Sequence, residues 1–119
     1  MQAGTIFCDL DGTLFRHGTV EPLPLALEFL AALEERGHRI IFVTRRGDLE
    51  FEGHSVYGKA ATLEMLRGYN LDTHTIIFDV RSPRVLVDDS NIGLIERVTD
   101  EGFTKEDLDH LPVEIEDLL

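Results

Sequence analysis

The chain has 119 residues, 43% of them hydrophobic and 29% charged, which bounds it as one domain around one hydrophobic core and excludes a disordered or fibrous class. No apolar run approaches the roughly 20 residues that span a bilayer, and the opening "MQAGTIFCDL" carries no basic or long apolar stretch; a cytoplasmic chain with no signal peptide and no membrane partner is expected. The net charge of −12 opposes binding to nucleic acid, whereas a small phosphorylated substrate needs only a local positive site such as a bound metal.

Residues 4–8, "GTIFC", are a β-rich apolar run leading into Asp9 and Asp11. Cys8 is the only cysteine, so it forms no internal disulfide and fits a reducing compartment. Strand alternation sends it to the face opposite Phe7 and Asp9, where a small buried core residue is expected. Residues 22–36 place Ala26, Phe29 or Leu30, and Leu33 at helical spacing. Pro22 suits the first turn of that helix and Gly37 its C-terminal stop.

Residues 38–44, "HRIIFVT", read as a buried parallel strand, and residues 45–55, charged and with two glycines, as a loop. A helix is predicted over 58–69, with Ala61, Met65 and Leu66 on one face. "TIIF" (75–78) and "RVLVD" (84–88) read as two more strands, separated by "DVRSP". Five residues are too few for a parallel crossover. "TIIF" is therefore short and irregular, or antiparallel to "RVLVD", or outside the main sheet. "TKEDLDHL" (104–111) reads as a short helix capped by Thr104, with Asp107 three residues on. His17, His38, His54, His74 and His110 lack metal-binding spacing and are expected to face solvent.

Strands alternating with helices predict an α/β fold: a doubly wound, mostly parallel sheet with helices on both faces. Ligands of such sheets bind beyond the carboxyl ends of the strands. Asp9 and Asp11, Thr44, and Asp88 with Asp89 all stand at such ends. Two carboxylates ending a buried strand are costly unless compensated. A hard divalent cation would relieve their repulsion, and Mg²⁺ is commonly held by one or two carboxylates with phosphate oxygens and water. Gly12 lets the backbone turn sharply just past them. A calcium loop does not fit, because Gly12 is fourth rather than sixth and the twelfth position is Val20 rather than Glu.

These residues resemble a known family. "FCDLDGTL" is similar to the first motif of the haloacid dehalogenase superfamily of phosphotransferases, DxDGT after an apolar strand. "IIFVT", ending in Thr44, resembles the second motif, and "VLVDDS" the acidic fourth. The likeness covers about residues 4–93. It implies that Asp9 is a nucleophile that becomes an aspartyl phosphate and that Asp11 protonates the leaving oxygen and then activates water. It further implies that Thr44 hydrogen-bonds the phosphoryl oxygens, and that Mg²⁺ is held by Asp9, the Asp11 carbonyl and Asp88, with Asp89 as a second acidic candidate. Gly12 and Thr13 fall in the phosphate-binding part of the first motif. Arg45 and Arg46 follow Thr44, and "TRRGD" is similar to the TxR stretch of several small relatives, which favours Arg46 as a substrate contact.

The sequence departs from the family in two places. "DVRSPRVLVDD" has no lysine where the third motif supplies one; Arg81 and Lys59 are the candidate replacements. The gaps after the first motif and after Thr44 are too short for a cap domain. The resemblance thus implies a cap-less, Mg²⁺-dependent phosphomonoesterase. A non-catalytic domain of the same fold, or a phosphotransferase with an acceptor other than water, are the rival readings.

Overall fold

β-Branched and aromatic residues fill two five-residue runs, and both are extended: β1 (Thr5–Asp9) and β2 (Arg39–Val43). A third strand, β3 (Thr75–Ile77), is shorter. The computed structural model describes residues 3–52 and 56–118, so His54 lies outside the described residues. The strands form one parallel sheet in the order β1-β2-β3. With three helices, α1 (Ala26–Glu35), α2 (Lys59–Gly68) and α3 (Lys105–Asp117), this is a small α/β protein.

The register aligns Cys8 with Phe42 and Phe42 with Ile76, and sets Ile6 beside Ile40. Cys8, Ile40 and Phe42 are buried together with Phe29, Leu30 and Leu33 of α1, Met65 and Leu66 of α2, and Leu111 and Ile115 of α3. Two right-handed crossovers running the same way along a sheet put both helices on one face. α3 then returns to α1 on that same side. On the opposite face Phe7 and Ile77 stay 53% and 43% exposed. Helices on both faces, as the sequence suggests, are therefore not found among the described residues.

The second difference concerns residues 84–88. They form no strand, and Val85, Leu86 and Val87 are exposed. The five residues 79–83 cannot carry the chain back for parallel pairing beside β3. β1 pairs with β2 alone.

Helix boundaries shift for local reasons. Pro22 bridges Phe15 instead of opening α1, and Leu25 at φ 57° precedes the first helical residue. Gly37 closes α1 as expected, at φ +82° and with its N–H donated to the Glu34 carbonyl at 2.9 Å. α3 continues past Leu111 through Pro112, because Leu111, Pro112 and Ile115 are all buried. His38 is not solvent-facing: it is buried, and its Nδ1 accepts the Gly4 N–H at 3.0 Å. No described helix is long and apolar enough to cross a membrane.

Candidate active site

β1 ends at Asp9, and the chain then coils tightly on itself. The Leu14 and Phe15 N–H groups both donate to the Leu10 carbonyl, and the Gly12 N–H donates to the Phe15 carbonyl at 2.7 Å. Gly12 sits at φ +82°, where a Cβ would strike the His17 ring, so the turn requires glycine. This coil carries Asp9 and Asp11 to the wall of one cleft and directs the Thr13 hydroxyl to Asp9 Oδ2 at 3.2 Å. The cleft comprises two adjoining cavities, about 570 and 400 Å³, that share Asp9, Asp11, His17, Ser82 and Arg84.

Each carboxylate meets its own arginine. Arg84 Nη1 donates to Asp9 Oδ1 at 2.9 Å, with both side chains about one-third exposed. Arg46 grips Asp11 with two parallel bonds, Nε to Oδ2 at 2.9 Å and Nη2 to Oδ1 at 2.7 Å. Fork-to-fork pairing of this kind is among the stronger charge-assisted contacts. The loop that delivers Arg46 is itself pinned. Its backbone N–H donates to Thr44 Oγ1 at 3.0 Å, and its carbonyl accepts the Asp79 N–H at 2.9 Å. The adjacent Gly47 abuts Asp79 so closely that any Cβ there would overlap the carboxylate.

The other expected site residues are distributed less favourably. Thr44 is fully buried behind the cleft and does not line it. Arg45 lines the smaller cavity while pairing with Glu50 at 2.9 Å and lying over the Phe51 ring. Arg81 pairs with Glu50 at 2.9 Å, and Lys59 approaches Asp79 at 3.9 Å; neither lines the cleft. The cation at the expected nucleophile is Arg84, which the sequence reading passed over as the first residue of a strand. Its signal was present: Arg84 stands three residues after Arg81, ahead of the acidic pair.

No protein-family model, curated protein or solved structure matches this chain.

The electrostatics separate the groups. Burial, reinforced by the neighbouring Asp9 charge, pushes the Cys8 thiol up to about 12, so it stays protonated behind the site. His17 borders the cleft and is steadied by Asp100, whose Oδ1 accepts the His17 N–H at 3.1 Å and lies 3.2 Å from Nδ1. That backbone N–H, more than the imidazole, holds Asp100 below the ordinary carboxylate range. Asp88 and Asp89 stand on the exposed segment, outside the cleft. Asp88 is held below its ordinary value first by the Ser90 N–H and then by that of Asp89.

Among the described residues, no three His, Cys, Asp or Glu side chains gather closely enough to hold a metal ion. Of the set expected to hold Mg²⁺, Asp9 and Asp11 share the cleft wall, while Asp88 and Asp89 do not line it. Guanidinium groups are the counter-charges seen at Asp9 and Asp11.

Proposed function

We propose that this chain is a cap-less phosphomonoesterase of the haloacid dehalogenase type, acting on a small phosphorylated substrate. The observation that carries the reading is the pairing of two carboxylates with different environments in one cleft. Asp9 is accessible and adjoins an exchangeable cation, whereas Asp11 is oriented from behind by a buried one.

A phosphate entering the cleft meets Arg84 beside Asp9, and Arg84 neutralises part of its charge. An Asp9 oxygen forms a bond to phosphorus while the ester P–O bond breaks, its electron pair leaving with the alcohol oxygen. Asp11, which enters the cycle protonated at an oxygen position that the Arg46 fork leaves free, gives that oxygen its proton. Water then attacks phosphorus, returns a proton to Asp11, and breaks the acyl-phosphate bond. The products are inorganic phosphate and the alcohol, and both carboxyl groups are restored. Mg²⁺ is the cofactor that the family resemblance implies.

A panel of phosphomonoesters, assayed with millimolar Mg²⁺ and with a chelator, tests the reading. Turnover of at least one ester is expected, together with hydroxylamine-labile phosphate trapped on Asp9. Asp9→Asn should abolish both. Near-wild-type turnover by Asp9→Asn would remove Asp9 as nucleophile. A non-catalytic binding domain is the second reading, favoured by the engagement of both carboxylates with arginines; it predicts phosphate-ester binding without turnover.

A further inference from the structure

We infer that Arg46 is a positioning residue that fixes the Asp11 carboxylate for proton transfer, rather than a contact to the substrate phosphate. The inference rests on the phosphomonoesterase reading above and assigns a role inside it.

Arg46 is the largest fully buried side chain of the described residues. A buried guanidinium is tolerated only when its charge and its N–H groups are answered. Here they are answered completely. The Nε–H and one Nη2–H take the two Asp11 oxygens, and the other Nη2–H takes the Thr19 carbonyl at 3.0 Å. The Nη1 group reaches the Val56 carbonyl at 3.3 Å and the Met65 sulfur at 3.5 Å. Guanidinium offers five N–H donors, and all five are engaged. None is left for a substrate.

The Tyr57 ring, 5.3 Å from the guanidinium carbon, adds a cation–π contact. Arg46 therefore touches the coil after β1 at Asp11 and Thr19, the loop at Val56, and α2 at Met65. It fixes Asp11 relative to the rest of the fold. A carboxyl group has about four lone-pair positions on its two oxygens, and the fork occupies two, one on each oxygen, which leaves room for the acid proton. The remaining positions serve proton exchange in an orientation that the fork holds. Lysine has a single ammonium and cannot reproduce that hold.

The test compares wild type, Arg46→Lys, Asp11→Asn and the double variant on two esters, p-nitrophenyl phosphate and glycerol phosphate. The nitrophenolate ion leaves without a proton, whereas the glycerol oxygen needs one. For Arg46→Lys, kcat/KM on glycerol phosphate should fall about 10²-fold, the lower end of the usual acid–base contribution. On p-nitrophenyl phosphate it should fall far less, with a burst of nitrophenolate as water activation becomes limiting. The double variant should lose nothing beyond Asp11→Asn. Equal losses on both esters, a raised KM with kcat preserved, or additive losses would each overturn the inference. Should Arg46→Lys fail to fold, Asp11→Glu, which displaces the carboxylate from the fork, carries the same comparison.

The nitrogen-15 spectrum of the Arg46 Nε–H in wild type and Asp11→Asn is read independently of activity. A slowly exchanging signal that shifts in Asp11→Asn supports the fork; an unshifted one overturns it. An inactive wild type with the fork intact overturns the phosphomonoesterase reading, and the proton-transfer role with it. An active wild type without the fork overturns this inference alone.

Discussion

A carboxylate at the end of a strand needs a counter-charge, and the two here are served differently. The Asp9–Arg84 pair is partly exposed, so it can open to admit an anion, whereas the Asp11–Arg46 pair is closed in by the fold. Arg84→Gln should therefore lower kcat/KM on any confirmed phosphomonoester. Hydrogen bonds to charged groups contribute about 1.5–3 kcal/mol, which corresponds to roughly 10- to 100-fold. Steady-state kinetics at low and saturating substrate check this, and an unchanged constant would remove Arg84 from phosphate binding. Cys8 supplies a second residue-scale expectation. With its thiol pushed up to about 12 by burial and by Asp9, it should resist iodoacetamide at pH 8 until the chain unfolds. Mass spectrometry over a denaturant series reads this directly, and rapid labelling of the native chain would contradict the burial. Asp9, Asp11 and Gly12 were legible in the sequence because a strand, a spacing and a turn residue coincide there. The burial of Arg46 and its fork to Asp11 were not legible, since nothing local tells a buried fork from a substrate contact. Arg84 was hidden by the apolar run that follows it.

At the scale of elements, periodicity found the helices, and tertiary contacts moved their ends. Ala26, Phe29, Leu30 and Leu33 are buried on α1 as their spacing predicts. The start of α1 was misplaced because Pro22 is held by a bridge to Phe15, a contact that no helix pattern contains. The N-terminus of α3 was legible in full. Thr104 Oγ1 accepts the Asp107 N–H at 3.1 Å, and Asp107 Oδ2 accepts the Thr104 N–H at 2.9 Å. Thr104→Ala should cost about 1 kcal/mol and lower the thermal midpoint accordingly. Asp107 lies below the ordinary carboxylate range, chiefly through the Thr104 N–H, with Arg97 adding at 2.7 Å. Because the folded state holds this proton less tightly than the unfolded one, the stabilisation is present above the ordinary carboxylate range. It is lost as pH falls through the depressed folded value. The midpoint difference between wild type and Asp107→Asn should accordingly be largest near neutrality and shrink on acidification. A difference that stays constant down to strongly acidic pH would exclude a titrating cap.

Across the whole molecule, the parallel sheet was legible because buried parallel strands read as continuous apolar runs. The cover of its second face was not. Segment 84–88 has the composition of a strand, yet strand formation requires a partner edge; the short connection denies it a parallel place beside β3, and it forms no antiparallel pair there. The consequence falls on the metal. Asp88 and Asp89 lie on this exposed segment, away from the cleft that holds Asp9 and Asp11. Mg²⁺ held by Asp9 together with Asp88 would draw on a residue that does not line the cleft, and it would compete with Arg84 for Asp9. Binding confined to the folded state adds stability by mass action, about 2.7 kcal/mol at a hundredfold excess over Kd. Wild type should therefore melt at a higher temperature in millimolar Mg²⁺ than with a chelator. Asp88→Asn should lose most of that rise if Asp88 is the ligand, whereas Asp89→Asn should lose it if Asp89 is. Differential scanning calorimetry of the three proteins, with and without Mg²⁺, distinguishes the two. A wild-type midpoint indifferent to Mg²⁺, with activity equally indifferent, would leave the arginines as the counter-charges of Asp9 and Asp11 and end the case for a metal.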